Sequence, residues 1–191
     1  MRDLTYPDTQ TWEPWQTEYQ YGAFYIFPPK GVIKPVDELR RMHDPRSYAY
    51  CQAHISVSEP LKTPPTEEQM QELQDVLSTV DPFRMHYGPL RSFPPYPGVV
   101  YAIQPEDAFM NLRSLIHATS LFAYAPLKRK DITPHMTIAE FITLEETDKL
   151  LRELGGNVPE GAFLCDTIEY AIPNERFYFE RALTISLGSR G

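Results

Sequence analysis

Residues 48–58 divide cleanly when laid out as a strand. Ala49, Cys51, Ala53, Ile55 and Val57 fall on one face, and Tyr48, Tyr50, Gln52, His54, Ser56 and Ser58 on the other. The same arrangement returns at residues 132–139, where His135 and Thr137 share a face with Met136 and Ile138 opposite. Further extended runs are predicted at 22–27, stopped by Pro28 and Pro29, and at 83–93, 99–104, 162–172 and 177–187. Helical spacing takes over between them. A short helix is predicted at 36–43, ended by Asp44 and Pro45. The capping box at Thr66 and Gln69 opens a helix reaching about Val80, with Met70, Leu73, Leu77 and Val80 on one face. Residues 106–122 form another, with Phe109, Leu112, Leu115, Ile116 and Thr119 inward, and Thr143 with Glu146 caps a last one that Gly155 and Gly156 end.

Taken as elements, the chain repeats itself: strand, helix, histidine strand, helix, more strand. The opening strands align as well, Gly22, Tyr25 and Pro28 against Gly98, Tyr101 and Pro105. The pattern predicts an α+β, bilobal and pseudo-symmetric fold, with two antiparallel-rich sheets forming a central cleft and helices packed outside. Both histidine faces would then line one cleft, with Tyr25 and Tyr101 in equivalent places. Residues 1–20 stand outside the repeat as an irregular arm whose Trp12 and Trp15 dock on the body, a lid being the lesser alternative; residues 21–191 form a single bilobal domain.

Composition narrows the partners. With 42% hydrophobic and 13% aromatic residues the chain has ample material for a packed interior. It has neither a run long enough to span a membrane nor an N-terminal secretory pattern, so the cytoplasm is the expected location and no membrane the expected partner. A net charge of −8 argues against long nucleic acid, whose binding rests on many phosphate contacts, and leaves a small nucleotide or an RNA terminus. Cys51 and Cys165 are expected as buried reduced thiols. The chain is expected to act as a monomer.

Three His-x-Ser/Thr triplets occur among five histidines. The one at His117 and Thr119 lies on a predicted helix, where residues two apart point in different directions, and is set aside. The other two occupy equivalent positions of the duplicated pattern. In Ala53-His54-Ile55-Ser56-Val57 and Pro134-His135-Met136-Thr137-Ile138-Ala139 the chain resembles the two-histidine phosphoesterase superfamily, which includes the bacterial 2′-5′ RNA ligase-like proteins and cyclic nucleotide phosphodiesterases. Ser56 stands where Thr is commoner, and the resemblance covers about residues 22–188. It implies a bilobal α+β fold and metal-independent phosphodiester chemistry in a cleft, with no cofactor.

The residues suit that chemistry. Opening a cyclic phosphodiester needs a base for the attacking water and an acid for the leaving sugar oxygen, and two imidazoles supply both near neutral pH. His54 and His135 are the candidate pair. Ser56 and Thr137, on the same faces, are placed to donate hydrogen bonds to the phosphoryl oxygens. Tyr25 and Tyr101 are candidate substrate contacts, for a base or for phosphate. Gln52 and Ser58 share the His54 face, and Arg84 and Arg91 lie on a strand bordering the cleft. Neither motif offers the three or four ligands zinc takes, so no metal site is expected. The resulting expectation is hydrolysis of a 2′,3′-cyclic phosphate of a nucleotide or RNA end to a monoester. The alternatives are a non-catalytic nucleotide-binding module, an RNA 2′-5′ end ligase or an ADP-ribose cyclic phosphodiesterase.

Overall fold

The computed structural model describes residues 4–123 and 132–188. The basic run Lys128 to Lys130, predicted as a loop, lies outside them. Strands β1 (Ala23–Ile26), β2 (Ile55–Ser56), β7 (Thr167–Pro173) and β8 (Phe179–Ser186) make one sheet in the order β2-β1-β7-β8. Strands β3 (Phe83–Phe93), β4 (Tyr96–Gln104), β5 (His135–Ala139) and β6 (Gly161–Cys165) make the other, in the order β5-β4-β3-β6. Every pairing is antiparallel. Two four-stranded sheets with helices outside give the expected α+β, two-lobed fold.

Helices α3 (Glu67–Ser78) and α4 (Glu106–His117) bury Met70, Leu73 and Leu77, and Phe109, Leu112 and Ile116, in the main core. Phe24 and Ile26 of one sheet and Val99, Tyr101 and Ile103 of the other meet them there. Both predicted capping boxes form: the Thr66 and Thr143 hydroxyls accept from the backbone N–H groups of Gln69 and Glu146, whose side chains reach back. Helix α5 (Leu144–Leu154) is thereby fixed at the start and ends at Gly155.

Three expectations are revised. Residues 48–58 are not one strand. Asp44 caps a short helix α2 (Pro45–Tyr48) by accepting from Ser47 N at 3.0 Å, and ladder pairing is confined to Ile55–Ser56. The burial alternation from Cys51 to Val57 persists nonetheless, because the chain there is extended even where it lacks ladder partners: the Ala53 N–H donates to Asp37 Oδ1 at 2.8 Å instead. The helix predicted from Val36 begins at Lys30; α1 (Lys30–His43) runs through Pro35 and buries Ile33 and Val36. Finally, the run 162–172 breaks at Asp166 into β6 and β7, which belong to different sheets. Phe163 and Cys165 point inward, then Ile168 and Tyr170, a change from odd to even positions that marks the crossing. The second sheet is entered at Phe83 and left at Cys165, which are register partners.

Candidate active site

His54 lies just before β2 and His135 opens β5, the strands at which the two sheets meet. Their rings are held alike. His54 Nδ1 is 2.7 Å from Gln52 O, and His135 Nδ1 is 2.8 Å from Thr133 O. A carbonyl oxygen only accepts, so each Nδ1 carries the hydrogen and the neutral ring keeps its lone pair on Nε2. Both histidines line one cavity of about 200 Å³ together with Ser56 and Thr137. Four sequence-predicted residues are therefore brought together.

Register decides the fate of the two tyrosines. Tyr25 lies directly opposite Ser56, so it shares the cleft face, and its ring meets His54 edge-on with centroids 4.9 Å apart. Tyr101 lies opposite Met136, on the far face of its sheet; its neighbour Val100 is the residue opposite Thr137. Tyr101 is therefore core, fully buried against Tyr87 with ring centroids 5.5 Å apart, and its hydroxyl has no hydrogen-bond partner among the described residues. The alignment on Gly22 and Gly98 is one residue out of phase, and a one-residue slip exchanges the faces.

Other candidates fall outside the cavity. Ser58 Oγ accepts from Phe24 N and donates to Glu59 O, a buried structural role. Gln52 and Arg181, hydrogen-bonded at 3.0 Å, line a larger neighbouring cavity of about 810 Å³ with Phe27, whose ring is 5.9 Å from that of His54. Arg84 and Arg91 are exposed on β3 and line neither. His117 is structural: Nδ1 donates to Arg113 O and Nε2 accepts from Glu59 N. Cys51 and Cys165 are buried free thiols, each pushed up to about 12 by burial.

Sequence reasoning missed Arg40, Phe93 and an aromatic cluster. Arg40 of α1 is buried at the cavity, donating from one terminal nitrogen to Ser47 O and Oγ at 2.9 and 3.0 Å and from the other to Asp37 at 3.2 Å. Burial, with the Arg40 charge and the second imidazole, drives the His54 pKa down to about 3 and keeps that ring neutral. Phe93 stands edge-on to His135, its centroid 5.5 Å away. Trp15, Tyr50, Phe141 and Phe177 also line the cavity. No periodicity announces the aromatic residues, because they come from the arm, loops and strand ends. The arm does dock as predicted: Trp12 Nε1 donates to Glu175 O at 3.0 Å, and Trp15 packs on Phe177.

Asp44 ties the two lobes. Besides capping α2, its carboxylate accepts from the backbone N–H groups of Glu140 and Phe141 at 2.8 and 3.0 Å, just past β5.

The sequence and the fold have counterparts. A Bacillus cytotoxicus protein named "Putative phosphoesterase" is 31% identical over 136 residues, spanning 68% of this chain and 74% of its own length. A Bacillus cereus protein of the same description is 29% identical over the same shares. Among solved structures, Escherichia coli LigT complexed with NADP+ superposes with a TM-score of 0.57 at 14% identity, over 87% of this chain and 96% of that one. The Thermus thermophilus protein TT0787 gives 0.56 at 15%, over 88% and 98%. The sequence model of the 2′-5′ RNA ligase superfamily matches residues 28–174, which include both histidine motifs. With its fold, its paired motifs and most of its length accounted for in this way, the chain belongs to the 2′-5′ RNA ligase superfamily.

Proposed function

We propose that the protein is a metal-independent phosphodiesterase that hydrolyses the 2′,3′-cyclic phosphate of a nucleotide or RNA end to a monoester. The observation that carries the reading is the pair of imidazoles, each fixed through Nδ1 by a carbonyl two residues earlier and each lining one cavity beside a hydroxyl. His54, held neutral, takes a proton from the attacking water through Nε2. The water oxygen bonds to phosphorus, the bond from phosphorus to one ribose oxygen breaks, and that oxygen takes its proton from His135. Ser56 and Thr137 donate to the phosphoryl oxygens, whose charge is present throughout. Repulsion between the two imidazoles, which itself lowers the His54 pKa, favours the singly protonated pair that this step requires. Superfamily membership and the phosphoesterase name of the relatives support phosphodiester chemistry, and the structures of LigT complexed with 3′-AMP and with ATP support a nucleotide ligand.

The test is incubation with the four nucleoside 2′,3′-cyclic phosphates in EDTA, separating 2′- from 3′-monophosphates. The expected result is turnover that survives EDTA and drops at least about 10²-fold in each of His54→Ala and His135→Ala, the lower end of what a general acid or base contributes. Both variants remaining folded and fully active would refute the mechanism. Activity abolished by EDTA would instead require a metal, and joining of RNA ends without cyclic phosphate opening would favour the ligase reading that the superfamily name carries.

A further inference from the structure

The superfamily match begins at residue 28 and ends at 174, yet one wall of the histidine cavity is built from outside it. Trp15 comes from the arm and Phe177 from the turn before β8. Phe177 is the centre of this wall. Its ring lies 5.0 to 5.2 Å from those of Trp12, Trp15 and Tyr50, and only 3% of it is exposed. Its φ of 60° is a conformation that a bulky side chain rarely adopts, and it must be held there by its surroundings. The Asn174 side chain does this from beneath, accepting from the N–H groups of Arg176 and Tyr178.

Trp15 is the exposed plate on that centre, at 39%. It is not a loose surface residue. Its Nε1 donates to Glu13 Oε2 at 2.9 Å, and Glu13 is gripped by Arg46 at 2.8 and 3.0 Å. Arg46 in turn covers Phe141, 4.2 Å from the ring centroid, on the opposite lobe. A large indole fixed in place, solvent-facing and lining the same cavity as two candidate catalytic imidazoles is a stacking surface for a flat ring. Tilted 42° to Phe141 with centroids 6.3 Å apart, it leaves no room for a sandwich between the two, so the ring must lie on its outer face.

We propose that Trp15 stacks the nucleobase of the substrate and so determines that base-bearing phosphodiesters are preferred over base-free ones. This rests on the phosphodiesterase reading and adds the substrate class to it. Base stacking on an aromatic side chain is worth about 5- to 140-fold in affinity. In Trp15→Ala, kcat/KM for adenosine 2′,3′-cyclic phosphate should fall by that order, mainly through KM, while glycerol 1,2-cyclic phosphate, which has the ester ring and no base, is turned over as in the wild type. Trp15→Phe should recover most of the loss. Equal losses on the two substrates, or no loss on either, would overturn the proposal. A second readout does not need turnover: titration with adenosine 3′-monophosphate should quench tryptophan fluorescence in the wild type but not in Trp15→Phe, where Trp12 alone emits. If the wild type hydrolyses neither ester, the phosphodiesterase reading fails, and the titration alone decides the stack: an absent quench, or one unchanged in Trp15→Phe, defeats it.

Discussion

Tyr25 and Tyr101 occupy matching places in the sequence and opposite faces in space. A register partner settles each: Ser56 places Tyr25 in the cleft, and Met136 places Tyr101 in the core. The Tyr101 hydroxyl is buried without a partner among the described residues, a desolvation cost of about 1–3 kcal/mol. Tyr101→Phe removes that cost with little change in shape, so we expect unchanged turnover and an equal or higher melting temperature. A marked fall in kcat would mean the hydroxyl acts in the site after all. The histidines and their hydroxyl neighbours were legible because strand alternation over even two or three residues fixes which side chains share a face. Arg40 was not legible, since a cation on an amphipathic helix reads as solvent-exposed until the partners that bury it, Ser47 and Asp37, are known.

Among the elements, the helices were the most readable, because capping boxes are local: side chain and backbone meet within three residues. Strand extents were harder to read. The short helix at Pro45 and the break at Asp166 both depend on which distant backbone a segment finds. Asp44 shows how much can rest on one such side chain. It serves α2 and, across the lobes, the backbone following His135's strand. Asp44→Ala leaves three N–H groups without their acceptor, at about 1–3 kcal/mol each for those that stay buried. The expected outcome is a clear loss of stability together with lower kcat, since the two histidines are no longer held at one spacing. By contrast Glu13→Ala breaks an exposed pair with Arg46 and should cost no more than about 1 kcal/mol. Comparing the two in urea melts checks the assignment: similar midpoint shifts would contradict it.

For the whole molecule, the lowered histidine pKa values contribute a loss of stability in acid. Burial lowers the pKa of both His54 and His117 from the ordinary value of 6.5, that of His54 to about 3 with the Arg40 charge contributing. Below pH 6.5 the unfolded chain therefore binds more protons than the folded one. This part of the stability is complete above 6.5 and falls as pH drops towards 3. Melting temperatures should decline from pH 7 to 5, and less steeply in His54→Ala; a wild-type value constant over that range would contradict the lowered pKa of these rings. The overall two-lobed plan was legible from the duplicated order of elements, whereas the arm's contribution to the cleft wall was not, because it depends on docking between segments far apart in sequence.

The chain writes its second sheet as a parenthesis. All four of its strands lie between Phe83 and Cys165, and the opening and closing residues stand side by side. His135 and Thr137 of the candidate site, with Phe93, thus lie inside the parenthesis, while His54, Ser56 and the arm belong to the host text. Recombination between relatives at Phe83 and Cys165 would exchange that half of the site, provided that the graft keeps its ties to the host: the two backbone N–H groups that Asp44 accepts from, and Arg113 of α4, which donates to Val57 O and pairs with the Glu59 carboxylate. Trp15 and Phe177 stay with the host, so the proposed base-stacking wall and the second histidine motif change hands separately.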